Sequence, residues 1–147
     1  MITFKLYLNE FKVTMPKAHQ TLGIARGHMP QVKSSDYDEL IDFLDNEGIK
    51  LIKKTVKAKV LKATQRNFNQ DKIIGAAANY HTLSTAKPII VSADNYVIDG
   101  HHRWLGALNV GGDITIMQAN VKVEELLTAI RKFPKTFTKN INEERDV

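Results

Sequence analysis

Residues able to bind an anion and transfer a proton stand together in the segment Asp99-Gly100-His101-His102-Arg103. Arg103 carries a fork of donors that suits phosphate, and His101 and His102 can donate hydrogen bonds or move protons near neutral pH. Asp99 can hold Mg²⁺ or accept a proton from an attacking hydroxyl, and it is also a good helix N-cap. The segment predicts a phosphate site at Gly100, His101, His102 and Arg103, with Asp99, His101 and His102 as catalytic candidates and Asp99 as the metal candidate.

The flanking sequence predicts which elements position this segment. Residues 88–92 form a short apolar run typical of a buried strand, residues 93–95 supply a turn, and residues 96–98 return as a second strand. Apolar residues then recur at helical spacing up to Asn109, before Gly111 and Gly112. The segment therefore lies where a strand passes into a helix, and the first turn of a helix offers unpaired N–H groups and a positive dipole end to an anion.

The first third of the chain predicts a strand, a long loop and a helix. Residues 2–8 alternate apolar and polar side chains, as in a strand with one buried face. Residues 14–34 lack periodicity and predict a solvated surface loop, although the Gly-, Arg- and His-rich run at 23–30 is also compatible with a loop over a ligand. Residues 36–46 predict an amphipathic helix that is capped by Ser35 and Asp36 and ends near Gly48.

The middle of the chain combines lysines with a polar loop. Residues 49–54 and 55–61 predict two successive strands, with lysines that either face water or contact DNA phosphates; the solvated interpretation is favoured. These are Lys50, Lys53, Lys54, Lys57, Lys59 and Lys62. Residues 64–67 predict a polar loop in which Gln65 and Arg66 are either ligand contacts or ordinary loop residues. A helix over 70–80, capped by Asn69, follows.

The remaining elements complete an α/β prediction. Residues 114–121 predict a strand and residues 123–133 a helix, with a polar tail over 134–147. Strands near 55–61, 88–92, 96–98 and 114–121 are expected in one mixed sheet. Helices near 70–80, 101–109 and 123–133 should flank that sheet, and the first strand and the helix at 36–46 should add to it.

Composition narrows the range of functions. The 147 residues carry a formal net charge of +5, which suits an anionic partner such as a nucleotide or nucleic acid. The chain contains no cysteine, so disulfides, thiolate zinc sites and cysteine nucleophiles are excluded. The sequence has neither an apolar run of membrane-spanning length nor the layout of a secretory signal. A cytoplasmic location without a membrane partner is expected, and the sequence makes no prediction of oligomeric state.

Three segments resemble the ParB/sulfiredoxin superfamily. The motif Ile98-Asp-Gly-His-His-Arg-Trp-Leu-Gly-Ala107 is similar to its phosphate-binding motif. Val60-Leu-Lys-Ala-Thr-Gln-Arg-Asn-Phe-Asn-Gln-Asp-Lys-Ile73 is similar to its opening strand, loop and first helix, and Ala86-Lys-Pro-Ile-Ile-Val91 to a following strand. The Asp-Gly-His-His-Arg form resembles the branch with free serine kinases and small phage-type ParB-like domains.

The resemblance implies an organisation and further site residues. It implies a ParB/sulfiredoxin-like mixed sheet flanked by helices over 55–133, an N-terminal strand-loop-helix extension over 1–54 and a tail over 134–147. It places Ser84, Thr85 and Lys87 in a ligand-contacting loop. Gln65 stands where the free serine kinases carry a catalytic glutamate, and the missing cysteine excludes sulfiredoxin chemistry.

Four functions follow as hypotheses. The preferred one is a phosphotransferase or nucleotide hydrolase that uses Mg²⁺ and ATP or ADP, with Asp99 and the turn at 100–103. The alternatives are a DNA-binding module that uses the lysines, a ParB-like nuclease, and an inactive partner-binding protein. Two-metal nucleases need several converging carboxylates, and the motif supplies only Asp99.

Overall fold

Apolar strands and amphipathic helices of this chain assemble into a mixed sheet flanked by helices, in a computed structural model that describes residues 13–80 and 88–138. The strands are β1 (Thr21–Ile24), β2 (Leu51–Lys57), β3 (Lys62–Gln65), β4 (Ile89–Val91), β5 (Tyr96–Val97) and β6 (Asp113–Ala119). The α-helices are α1 (Tyr37–Asn46), α2 (Gln70–Ala78), α3 (His101–Asn109) and α4 (Val123–Lys132). The predicted α/β class with a mixed sheet is therefore confirmed.

Three parallel strands of the sheet end on the same side. The strand order is β1-β3-β5-β4-β6-β2. β1 pairs in parallel with β3, and β3 with β5, while β4 runs antiparallel to β5 and parallel to β6, and β2 runs antiparallel to β6. The carboxyl ends of β1, β3 and β5 consequently lie side by side, and in open α/β sheets this is where ligands bind.

The core has two layers, one on each face of the sheet. In β4, Ile90 packs with α1 and α4, whereas Ile89 and Val91 pack with α2 and α3. A strand covered on both faces must be apolar throughout, which explains the continuous run in β4. Gly106 lets α3 cross α2 closely, since a Cβ there would overlap the backbone of Ala76. Trp104 Nε1 donates to the carbonyl of Ala58 at 2.8 Å and fixes α3 from its other side.

The region around residues 49–62 differs from its prediction. One strand, β2, spans Leu51–Lys57, and the chain then makes a 3₁₀ turn over Ala58–Val60 before β3. The expected strand at 55–61 is therefore wrong, because Ala58 is buried at the turn and Val60 is exposed. The strand that follows was expected as a polar loop, yet Thr64 and Gln65 in β3 are buried.

The expected solvated loop over residues 14–34 is also wrong, since it contains a strand and two 3₁₀ turns. β1 forms against β3, with a register shift at Gly23, whose φ is +73°. The 3₁₀ turns span Ala18–Gln20 and Arg26–His28. Such a strand depends on a partner far along the chain, so local periodicity does not reveal it.

Other elements agree closely with their predictions. The helices match within a few residues, and Asn69 caps α2 by accepting the Lys72 N–H at 3.1 Å. α1 follows a 3₁₀ turn over Ser34–Asp36, and Gly48 just beyond it has a φ of +82°. Asp36 is the N-cap of α1 but makes no side-chain capping hydrogen bond, so the expected cap is wrong in that respect. No helix within residues 13–80 and 88–138 is long and apolar enough to cross a bilayer.

Some predictions fall on the rest of the chain. The expected strand at 2–8, the loop residues Ser84, Thr85 and Lys87, and the tail beyond residue 138 lie outside the described residues. The division of the chain at residues 54 and 133 stays a prediction. β1 precedes residue 54 and β2 spans it, and both belong to the same sheet as β3 to β6.

Candidate phosphate-binding site

The Asp99 to Arg103 segment lies at the passage from β5 into α3, as predicted. α3 begins at His101, and its N-cap is Gly100, with a φ of +90° and a ψ of 27°. This left-handed conformation favours glycine. A Cβ at position 100 would also overlap the side chain of Ile89, so the turn needs glycine for two reasons. The expectation that Asp99 is the N-cap is wrong by one residue.

Asp99 is held from two directions. Its Oδ1 accepts the N–H of Gly100 at 2.9 Å, and its Oδ2 accepts a short hydrogen bond from the hydroxyl of Tyr37 in α1. Burial, and then the charge of Asp99, raise the pKa of Tyr37 well above its ordinary value, so this hydroxyl stays protonated and donates. The two bonds fix the orientation of the carboxylate at the start of α3.

His101 ties α3 to β3. It is only 4% exposed, and its Nε2 lies 3.2 Å from the backbone N of Thr64 and 3.3 Å from Thr64 Oγ1. An Nε2 that accepts a backbone N–H carries no proton itself. Burial, followed by the charges of His102 and Arg26, lowers the pKa of His101 to about 3. The imidazole is therefore neutral at physiological pH and positions the helix start.

His102 ties α3 to the start of α2. Its Nε2 accepts the N–H of Asn69 at 3.0 Å, while Asn69 itself caps α2. Burial, followed by the charges of Arg26 and Lys72, lowers the pKa of His102 to about 4. With Nε2 already an acceptor, this side chain offers its other ring N–H, from Nδ1, to a ligand.

A pocket of about 420 Å³ opens in front of this helix start. Four cations and one carboxylate line it, namely Arg26, Lys33, Lys72, Arg103 and Asp99. The pocket has the size of a small-ligand site, and its formal lining charge favours an anion. Arg26 is 7% exposed, and its Nη1 lies 3.4 Å from Gln65 Oε1. The fork of donors on a guanidinium suits two oxygens of an anion.

The pocket gathers some predicted residues and leaves others outside. Gly100, His101, His102 and Arg103 line it with Asp99, and Gln65 at the end of β3 joins them. Arg66 is exposed and does not line the pocket, and its backbone N–H donates to the carbonyl of Ile24 at 2.9 Å. The catalytic and binding roles of all these residues stay predictions.

Sequence reasoning missed the residues that distant segments bring to the pocket. Arg26 follows β1 directly, and the pairing of β1 with β3 carries it beside Gln65. The run at 23–30 that contains Arg26 was the only signal for it. Tyr37 and Lys72 belong to helices, where their types suit ordinary apolar and solvent-exposed positions.

The side chains that line the pocket fit a magnesium ion only if a bound ligand supplies the other oxygen atoms. Among residues 13–80 and 88–138, no group of three or more histidine or carboxylate side chains could hold a metal ion. Asp99 is the carboxylate of the pocket lining. Mg²⁺ is commonly held by one or two carboxylates plus the phosphates of a substrate, and Asp99 fits that arrangement once phosphates occupy the pocket.

The lysines proposed for DNA binding do not form one continuous stripe. Lys50 forms an ion pair with Asp45, and Lys62 lies over the ring of Tyr96, with Nζ at 4.4 Å from its centre. Exposed lysines remain on β2, which is an edge strand among the described residues, and on the turn after it: Lys53, Lys54, Lys57 and Lys59. Lysines on an edge strand also discourage pairing with other chains, so their position alone does not require DNA.

Comparisons with known proteins leave the family open. No family model matches the chain, and no curated protein matches it. Among solved structures, a chain described as a Pnob8-like ParB-N domain matches with 18% sequence identity and a TM-score of 0.44. The match covers 58% of this chain and 38% of that one. A likeness this remote carries no argument about function, which must rest on the geometry of the pocket.

Proposed function

We propose that the pocket before α3 binds the phosphates of a nucleotide of the ATP or ADP type, and that the protein is a phosphotransferase or nucleotide hydrolase. The observation that carries the proposal is the convergence of four cations on a helix N-terminus at the ends of β1, β3 and β5. Phosphates favour such a place, because the helix dipole and the positive side chains act on the same charge.

Each residue has a distinct part in this proposal. Arg26, Lys72 and Arg103 line the pocket and balance phosphate charge, and the guanidinium forks suit pairs of phosphate oxygens. Phosphoryl transfer depends mainly on positioning and charge stabilisation, which the cations of the pocket supply. His101 holds the helix start in place through Thr64.

Asp99 supplies a negative charge. Phosphate binding alone does not need this charge, whereas a reaction of the phosphates does. A carboxylate repels nearby phosphates. Its presence is explained if a cation bridges the two groups or if the carboxylate accepts a proton during the reaction. Bound Mg²⁺ would neutralise charge on the phosphates and on Asp99. Tyr37 holds Asp99 in one orientation, which suits a group that must accept a proton from a hydroxyl or a water molecule.

A separate observation supports DNA binding as an alternative. The exposed lysines of β2 and the turn after it give a basic edge that can contact DNA phosphates. A nuclease is less favoured, because two-metal cleavage needs converging carboxylates and the pocket lining carries Asp99 alone among described residues.

Calorimetric titration of the full chain with ATP, ADP, CTP, GTP and a short DNA duplex, each with and without Mg²⁺, tests the proposal. We expect nucleotide binding that Arg103→Ala weakens by about tenfold or more, which is the loss of one strong charged contact. Lys53→Ala removes the same charge from the exposed edge and should leave nucleotide binding unchanged. Absence of nucleotide binding, or equal effects of the two variants, would refute the proposal; DNA binding lost in Lys53→Ala would favour the alternative.

A further inference from the structure

The segment after α4 forms a wall of the same pocket. Phe137 and Gln31 make an isolated antiparallel bridge, in which Gln31 N donates to Phe137 O at 2.7 Å and Phe137 N donates to Gln31 O at 3.0 Å. Phe137 is half-buried and is one of the residues that line the pocket. An aromatic residue thus borders the same pocket as the cations.

Several contacts hold this wall in place. Lys135 Nζ lies 2.7 Å from Glu39 Oε1 and 3.6 Å from Asp36 Oδ1, which fastens the segment to the start of α1. Thr136 Oγ1 donates to the carbonyl of Ile130 at 2.6 Å, which fastens it to the end of α4. Together with the bridge to Gln31, these contacts hold the backbone at Phe137 in place before any ligand arrives, which lowers the conformational cost of binding.

The pocket lining has a cationic part and an apolar part, so a matching ligand has both an anionic group and an apolar group. Arg26, Lys72 and Arg103 suit phosphates, whereas Phe137, Val32 and Ile98 give the same pocket an apolar portion. A phosphorylated compound without a flat apolar group would leave that portion in contact with water. A nucleobase stacks on an aromatic ring through its π-face, whichever base it is.

We infer that Phe137 is the base-binding residue of the pocket, so that the ligand class is a nucleotide and not a phosphorylated sugar or a free polyphosphate. The inference rests on the proposed function, because it needs phosphates to be bound at the start of α3. It adds a specificity residue contributed by the segment after α4, which lies outside the segments that carry the family resemblance.

Titrations of the full chain with ATP and with tripolyphosphate separate the base from the phosphates. In Phe137→Leu, which keeps an apolar side chain and the backbone bridge, ATP should bind about tenfold more weakly, as expected for a lost stacking contact. Tripolyphosphate should bind as in the unchanged protein. Phe43→Leu is the matched control, since it removes a ring that packs on Phe133 and does not line the pocket, and it should change neither affinity.

Phe137→Trp provides a second measurement that does not depend on losing affinity. A base stacked on the new indole should quench its fluorescence, so ATP should lower the emission while tripolyphosphate should not. Trp104 is the chain's own tryptophan and is buried, so the unchanged protein serves as the background. Thermal unfolding of each variant checks that the fold is kept.

The outcomes distinguish this inference from the proposed function. If tripolyphosphate binds but ATP binding is the same in Phe137→Leu and Phe43→Leu, the base contact is refuted while the phosphate site stands. An equal loss of ATP and tripolyphosphate binding in Phe137→Leu refutes it as well. If neither compound binds the unchanged protein, the proposed function fails and the inference fails with it.

Discussion

The hydroxyl of Tyr37 donates a hydrogen bond to Oδ2 of Asp99 across 62 positions of sequence, and so links α1 to the turn before α3. Tyr37 is 6% exposed and also packs with the core layer of α1 and α4. The orientation of Asp99 therefore depends on the packing of α1 as well as on its own turn.

Tyr37→Phe removes this donor and keeps the ring. Hydrogen bonds to charged groups contribute about 1.5 to 3 kcal/mol, and the half-buried position of Asp99 favours the lower part of that range. We expect the free energy of unfolding in urea to fall by about 1 to 2 kcal/mol. Tyr96→Phe, at a half-buried tyrosine of β5, is the control and should change stability by less than about 0.5 kcal/mol. Equal effects of the two would mean that the bond to Asp99 does not stabilise the fold.

Gly100→Ala tests the turn that opens the site. A left-handed residue with a side chain costs about 1 to 2 kcal/mol, and the overlap with Ile89 adds about 1 to 3 kcal/mol. We expect the free energy of unfolding to fall by about 2 kcal/mol or more. Gly75→Ala in α2 is the matched control, because a Cβ there meets nothing within 4 Å. It should stabilise the protein by about 0.5 to 1 kcal/mol, and equal effects of Gly100→Ala and Gly75→Ala would show that the turn before α3 does not require glycine.

Buried His101 and half-buried His102 predict a loss of stability in mild acid. Each has an ordinary pKa of 6.5, which falls on folding to about 3 for His101 and about 4 for His102. The unfolded chain therefore binds these protons first, and stability that is complete above pH 6.5 falls as the pH drops toward the folded values. Below pH 6.5 the slope should approach about 1.4 kcal/mol per pH unit for each histidine.

Urea unfolding between pH 7 and 5 measures this slope. His101→Gln keeps an acceptor for the Thr64 N–H and removes one titrating group, so the slope should fall by about half of the histidine contribution. A His101→Gln slope equal to that of the unchanged protein would contradict the buried, neutral state of His101.

Elements with a local signal could be predicted from the sequence, and elements that depend on distant partners could not. The run in β4 and the helical spacing in α3 place the motif between strand and helix with little ambiguity. Thr64 is a polar residue, which predicts a loop, yet it lies buried in β3. Its burial is possible because it forms hydrogen bonds to Val97 O and His101 Nε2. Those partners lie more than 30 positions away, so the segment resembles a loop when it is considered alone.

The residues of the candidate site fall into the same two groups, those with a local signal and those that distant segments contribute. The motif supplies the helix start, Asp99 and Arg103 from neighbouring positions in sequence. The pairing of β1 with β3 supplies Arg26, and the bridge from Gln31 supplies Phe137. A buried arginine has no local pattern of its own, so the pocket becomes visible only when these segments are assembled.

Asp99→Asn tests whether the carboxylate charge is used in chemistry. Both Asp99 oxygens accept hydrogen bonds, and an amide can replace only one of them, so we expect a stability loss of about 1 to 2 kcal/mol. Nucleotide turnover should fall by about a hundredfold or more, the contribution of a positioned acid–base group. Nucleotide affinity without Mg²⁺ should hold or improve, because removal of a carboxylate beside phosphates relieves repulsion.

Tyr37→Phe is the control that separates lost charge from lost stability in this experiment. It weakens the same hydrogen-bonded pair but leaves the negative charge on Asp99, so its turnover should stay within about tenfold of the unchanged protein. Turnover is compared at a temperature where thermal unfolding shows both variants folded. If Asp99→Asn retains the turnover of Tyr37→Phe, the charge of Asp99 takes no part in the reaction. Asp99 would then only order the turn before α3, and the turnover would depend on the cations and histidines of the pocket and not on a carboxylate.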